Sequence, residues 1–198
     1  GCRGDYFASI ARVLSKDHRV YTLDLPAHGQ SGRPPEPWGV PDYALFVEAF
    51  MRQEGIVGCD VIAHSFGGRL ALYLAAEKPE CVNRLVLTGC AGLKSEPTAE
   101  QKKRNDRYRR QKSLLETAIQ AGGPLKALGN RAMEALRRKY GSPDYNALDD
   151  EMKKTFVKIV TQDLTPLLPS IHAPTLLIWG EKDTETPLWM AKKIESVL

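Results

Sequence analysis

Ser65 stands in Val61–Ala75, "VIAHSFGGRLALYLA", where an apolar run passes through His64 and Ser65 into paired glycines and then directly into a helical pattern. A hydroxyl at such a corner projects clear of the backbone. The amide of the next residue, Phe66, lies in the first helical turn, where it can donate to a developing oxyanion. The chemistry this suits is nucleophilic attack on a carbonyl. The competing reading is a plain helix N-cap, a common place for serine. The strand before Ser65 and the helix after it favour the nucleophile. Ala63 and Gly67, two positions to either side, are small enough for the corner to approach its neighbours closely.

A serine hydroxyl is a weak nucleophile at neutral pH and needs a base, which in turn needs an orienting acid. The chain has four histidines. His18 and His172 precede apolar runs, which puts them at the opposite end of the strands from Ser65. His64 is the serine's neighbour, and its side chain is expected to point elsewhere. His28 follows a run and lies on the correct edge, so position alone leaves it open.

Positioning these groups requires strands and helices in alternation. Arg19–Leu23, Asp60–His64, Arg84–Thr88 and Pro174–Trp179 are short continuous apolar runs, the pattern of parallel strands buried on both faces. Helical stretches lie at Asp5–Ser15, Tyr43–Glu54 and Phe66–Glu77. Strand, helix and strand in repetition give an α/β class with a doubly wound, mostly parallel sheet. The interval from about Leu93 to Ser170 is too long for one connection and reads as several helices, broken at Ala121–Pro124 and Tyr140–Tyr145. It leaves the C-terminal edge of a strand, where ligands of open α/β sheets bind, so a helical cap is expected. The organisation is therefore a core over 1–92, a helical cap over 93–170 and a second core part over 171–198. Tyr108, Tyr140, Tyr145 and Phe156 suit helix-on-helix packing more than a pocket lining.

Composition fits one soluble domain carrying an insertion: 198 residues, 42% hydrophobic, 26% charged and a net charge of +4. So mild a charge calls for no nucleic acid. The basic run Lys102–Lys112 reads as a solvated helix face before a binding patch. Cys2, Cys59, Cys81 and Cys90 have neither CxxC nor metal-ligand spacing, which points to a reduced compartment, the cytoplasm, and to no metal. No apolar run approaches the roughly 20 residues of a membrane span, so no membrane partner is expected. The chain opens on Gly1 without a methionine and closes inside an apolar helical pattern that has no cap. Both ends read as cut, and no view on a signal peptide follows from them.

Three segments in this order, "DLPAHGQS" (Asp24–Ser31), "IAHSFGGRLAL" (Ile62–Leu72) and "PTLLIWGEKDTETP" (Pro174–Pro187), resemble the α/β-hydrolase fold family, in particular its capped serine hydrolases. Ala63 stands where that family usually has glycine, as does Ala27 in the first segment. The resemblance implies that Asp24 and His28 shape a loop. It places the acid after the last of the four runs, at Asp183, with Glu181 and Glu185 as near alternatives. An earlier acid position falls on Thr88–Cys90, where no residue is acidic. The family's base follows the acid in sequence, beyond one further strand, so the catalytic histidine is expected outside these 198 residues. A second oxyanion amide falls just before Gly1, or in a less favoured register on Cys2. A central strand between those matching Arg19–Leu23 and Asp60–Ala63 is also expected to be missing.

The resemblance thus implies a serine hydrolase that acts through an acyl-enzyme on a small ester, thioester or related acyl compound, without cofactor. Serine at the corner argues against dehalogenase or epoxide chemistry, which would use aspartate there. Carbon–carbon cleavage, amide hydrolysis and acyl transfer share the constellation. Two alternatives belong to other classes: a noncatalytic receptor or scaffold, and a protein-interaction role for the basic segment through Arg104, Arg107, Arg109 and Arg110. The 198 residues alone are expected to be inactive and poorly stable.

Overall fold

The computed structural model describes residues 4–94 and 98–198. Three strands, β1 (Cys59–His64), β2 (Val82–Thr88) and β3 (Thr175–Ile178), form one parallel sheet in the order β1-β2-β3. Eight α-helices accompany them among these residues: α1 (Ala8–Leu14), α2 (Val40–Gln53), α3 (Phe66–Glu77), α4 (Ala99–Gln120), α5 (Gly123–Tyr140), α6 (Pro143–Asn146), α7 (Asp150–Thr161) and α8 (Trp189–Glu195). The register pairs His64 with Thr88 and Thr88 with Ile178. The three strands therefore end level, and Ser65, Gly89 and Trp179 leave the sheet side by side.

Arg19–Leu23, expected as a strand, belongs to no ladder among the described residues. A β-rich sequence becomes a strand only where a neighbour accepts its backbone hydrogen bonds, and β1 pairs on one side with β2 alone. Burial on both faces also fails at β3. Its side chains alternate, leaving Leu176 and Ile178 more than half exposed.

Local chemistry sets the helix boundaries. α2 begins at Val40, ahead of the expected Tyr43, because Pro41 suits a first turn and the Asp42 carboxylate accepts the Gly39 N–H at 2.7 Å. The segment before α1 opens as a 3-10 turn, Gly4–Phe7. α3 matches its expected span.

The described residues divide into two compact units, 4–93 with 154–198, and 94–153 without the undescribed 95–97. The first is built on Tyr43, Leu72, Leu74, Leu85, Leu87, Leu164, Leu168 and Ile194, all fully buried. Each such side chain contributes about 1.5–3 kcal/mol relative to exposure. Residues 154–170, read from the sequence with the insertion, pack in this first unit. Leu164 and Leu168 enter its core, and Arg69 of α3 donates to the carbonyls of Ile159 and Gln162 at the C-terminal end of α7 (3.1 and 3.3 Å). Burial pushes the Arg69 pKa below its ordinary value.

The second unit is chiefly the α4–α5 hairpin. Thr98 and Gln101 cap α4 reciprocally (3.1 and 2.9 Å). The turn after it runs through Gly122 and Gly123, both at positive φ (76° and 57°), where a side chain would be strained. Gly129, Met133 and Leu136 are the buried residues of α5, and α4 buries none. The rings of Tyr108 and Tyr140 pack on each other at 5.2 Å, in line with the packing expectation for these two tyrosines.

Candidate active site

Ser65 lies between the last residue of β1 and the first of α3 with φ 49° and ψ −111°. Positive φ on a non-glycine residue costs on the order of 1–3 kcal/mol and persists only where its surroundings enforce it. Here they do. The Ser65 N–H donates to the carbonyls of Thr88 and Gly89 (3.3 and 3.1 Å), and its own carbonyl accepts from Ala91 N–H (3.3 Å). The corner is thereby laced to the loop leaving β2. An N-cap serine has extended φ/ψ and accepts a bond from the helix. Ser65 has neither feature, since its side chain makes no capping bond. The hydroxyl therefore bonds no N–H of the helix it precedes, and the Phe66 amide is one of the N–H groups that α3 itself cannot satisfy.

Close packing explains the glycines that follow. A Cβ on Gly68 would fall on Cys90 Sγ and within 2.8 Å of Cys90 Cβ, so α3 can approach the loop after β2 only without a side chain there. A Cβ on Gly67 would meet Ala63 Cβ at 3.8 Å, ordinary contact, so alanine at position 63 is accommodated. Burial raises the Cys90 thiol to about 12, which keeps it protonated and unreactive.

Asp183 follows β3 in a tight loop. Its N–H donates to the Gly180 carbonyl (3.2 Å), and the Trp179 indole N–H donates to the Thr186 carbonyl (2.6 Å). The Asp183 carboxylate accepts three bonds: Glu185 N–H at 2.9 Å and Thr186 N–H at 2.8 Å on Oδ1, and the Thr186 hydroxyl at 2.7 Å on Oδ2. Thr186, with smaller help from Glu185 and the charge of His64, holds its pKa below the ordinary aspartate value. Glu181 and Glu185 are exposed, and Glu185 contributes only its backbone to this loop.

Gly89 brings these pieces together. From the point where a Gly89 side chain would begin, Thr186 Oγ1 lies at 3.1 Å, His64 Cε1 at 3.2 Å and Asp183 Oδ2 at 3.3 Å. The Ser65 N–H bonds the carbonyl of this same residue. Ser65 and Asp183 thus sit at the same edge of the sheet, after β1 and β3, the two strands that flank β2. His64, expected to point elsewhere, faces the Asp183 side of this cluster. Its Nδ1 is 2.8 Å from the Thr88 carbonyl and its ring stacks on Tyr6 (5.5 Å). A carbonyl only accepts, so Nδ1 carries the proton. Sequence reasoning missed this placement because it depends on the register between β1, β2 and β3, which no single segment encodes.

The remaining histidines divide as their positions implied. Exposed His172 precedes β3, and exposed His18 lies near Asp60, the second residue of β1, whose carboxyl is held below its ordinary pKa chiefly by the Arg84 hydrogen bond and least by the charge of His18. His28 stacks on Phe66 at 5.7 Å, with Nδ1 3.0 Å from the Pro26 carbonyl. The loop that carries it is shaped by Asp24, whose carboxylate accepts Gln30 N–H (3.0 Å) and whose carbonyl accepts the Ser31 hydroxyl (2.6 Å). Ala27 in this loop has φ 64°, a conformation suited to glycine. Cys2 lies outside the described residues. Glu48, Glu80 and Cys81 cluster elsewhere in the first unit, but Glu48 is already bonded by Arg52 (2.7 Å) and Lys78 (3.4 Å).

A parallel α/β sheet with a strained serine corner and an aspartate loop at one edge defines a class, and comparison with known proteins agrees. The α/β-hydrolase fold family model matches residues 3–196, and the chain belongs to that family. It is 25% identical to an uncharacterised hydrolase, YugF, of Bacillus subtilis over 97% of this chain and 73% of that protein. It is 26% identical to the pimeloyl-(acyl-carrier protein) methyl ester esterase of Nitrosospira multiformis over 96% of this chain and 78% of that one. Among solved structures, MGS-M2, an α/β-hydrolase enzyme from a Medee basin deep-sea metagenome library, superposes with a TM-score of 0.68 at 22% identity, over all of this chain and 74% of that one. The chain is thus an α/β hydrolase, with esterase-like relatives.

Proposed function

We propose that this chain carries the nucleophile and the acid of a serine hydrolase acting on small esters, thioesters or related acyl compounds. The observation that carries the reading is Ser65 itself, held at φ 49° with a side chain that caps nothing. A serine kept for helix capping would adopt the relaxed geometry at no cost. A scaffold protein would gain nothing from the strain. The ester class follows from the named esterase among the relatives.

In this mechanism Ser65 Oγ attacks the acyl carbonyl carbon while its proton passes to a histidine base. Asp183 accepts the base's other N–H, holding its orientation and steadying the imidazolium. The Phe66 amide donates to the oxyanion. Collapse of the tetrahedral intermediate breaks the bond to the alcohol, which takes the proton from the histidine. Water, activated by the same base, then releases the acid and restores Ser65. None of the four histidines is given this role: His18 and His172 lie at the wrong end, and His64 and His28 hold backbone carbonyls. The base comes from outside these residues, and no metal or organic cofactor takes part.

Chemical rescue tests this on the chain as it stands. With p-nitrophenyl butyrate, turnover is expected to equal that of Ser65→Ala until imidazole is added, and then to exceed it. Hydrolysis without imidazole that disappears in Ser65→Ala would place the base inside the chain, with His28 first in line. Identical rates for the two proteins with imidazole would remove Ser65 from the chemistry.

A further inference from the structure

The α4–α5 hairpin combines two features that a solvated helix face does not need together. Between Thr98 and Tyr140 twelve Lys and Arg stand against four Asp and Glu, while the whole chain has 28 against 24. The hairpin is thus strongly basic and the remainder of the chain net acidic. On the same two helices Leu114, Leu125 and Leu128 are 72%, 53% and 66% exposed.

Helical spacing sorts these residues into stripes. Lys103, Arg107, Arg110 and Leu114 recur at intervals of four, three and four along α4, on one side of the helix. Leu125, Leu128, Ala132, Ala135 and Lys139 do the same on α5. Leu114 of the first stripe and Ala132, Ala135 and Lys139 of the second line a shallow, mostly apolar groove of about 390 Å³, with Leu115 and Leu136 beside them. The leucines gather toward the turn that joins the helices, and the cations continue away from it.

We infer that this face docks on a membrane surface of anionic phospholipid. Spanning a bilayer and lying on one make different demands. Among the described residues no helix is long and apolar enough to cross a membrane. Lying on one asks for aliphatic side chains that reach the acyl boundary, beside Lys and Arg at phosphate level. The long stems of Lys and Arg cover apolar surface while their charges stay at the headgroups. A nucleic acid or a purely acidic peptide segment would answer the charge but leave the leucines without a partner, and the groove presents no aromatic ring for a base to stack on. The sequence-based expectation of no membrane partner weighed spanning alone, because exposure of individual leucines cannot be read from hydropathy. This inference does not rest on the role of Ser65.

The test is co-sedimentation of the full 198-residue chain with vesicles of phosphatidylcholine alone or of equimolar phosphatidylcholine and phosphatidylglycerol, at low and high salt. Binding is expected to be at least tenfold stronger to the anionic vesicles and to fall as salt screens the charges. The triple variant Lys103→Gln, Arg107→Gln, Arg110→Gln should weaken it at least tenfold. Leu114→Ser with Leu128→Ser should weaken it several-fold while the circular dichroism melt stays that of the parent. Equal, weak binding to both vesicles overturns the inference. So does a leucine variant that binds as the parent does, with polyglutamate competing, which would mark the face for an acidic macromolecule. A leucine variant that melts well below the parent overturns it too, since the leucines would then serve packing within the chain.

Discussion

At Ser65 the backbone holds a conformation its own side chain disfavours, and the hydrogen bonds of Thr88, Gly89 and Ala91 keep it there. Glycine adopts positive φ without steric penalty, although it loses more entropy on folding. Ser65→Gly should therefore be more stable than Ser65→Ala by about 1 kcal/mol, what remains of the strain after the entropy of glycine is subtracted. Urea midpoints at constant slope would show it, and an alanine variant as stable as the glycine one would count against strain at the corner. Asp183 allows a second test at this scale. Its folded pKa is depressed, mainly by Thr186, so the stability from these bonds is fully present above the ordinary aspartate pKa and is lost as pH falls through the lower folded value. Thr186→Val removes the hydroxyl donor to Oδ2. The Asp183 carboxylate, followed by carbon-13 NMR, should then titrate at higher pH than in the parent; an unchanged midpoint would assign its depression to other groups.

The elements β1, α3 and the loop after β2 meet at Gly68. Alanine there should gain about 1 kcal/mol of helix propensity. Against this, the new Cβ would overlap Cys90 and come within 3.1 Å of its Cα, a backbone atom that cannot simply rotate aside. Overpacking costs about 1–3 kcal/mol, so Gly68→Ala is expected to lower the urea midpoint despite its better propensity. A higher midpoint would mean that the loop yields freely. This is also the scale at which the sequence was most and least informative. The apolar runs of β1, β2 and β3 and the periodicity of α3 were legible because their patterns are local. Arg19–Leu23 has the same local pattern but is no strand, because a ladder partner is not a property of the segment. The Ser65 corner was legible as a strand–serine–helix order, and Asp183 through resemblance. The approach of His64 toward Asp183 was not legible, since it arises from the register that sets the ends of β1, β2 and β3 level, and no spacing within one chain segment encodes it.

For the whole molecule, charge and apolar surface are divided unevenly. The first unit concentrates the large buried side chains, and the α4–α5 hairpin concentrates the cations while burying three residues of α5 and none of α4. The serine corner and the aspartate loop both belong to the first unit, at the same edge of one sheet, after the strands on either side of β2. Their juxtaposition is therefore independent of how the inserted helices are placed. The most direct measurement is peptide mass mapping of the chain after exposure to a fluorophosphonate with and without imidazole. A single adduct on Ser65, formed when imidazole is present and absent from Ser65→Ala, is the predicted result. An adduct mapped to another residue, with Ser65 unmodified under the same conditions, would contradict it.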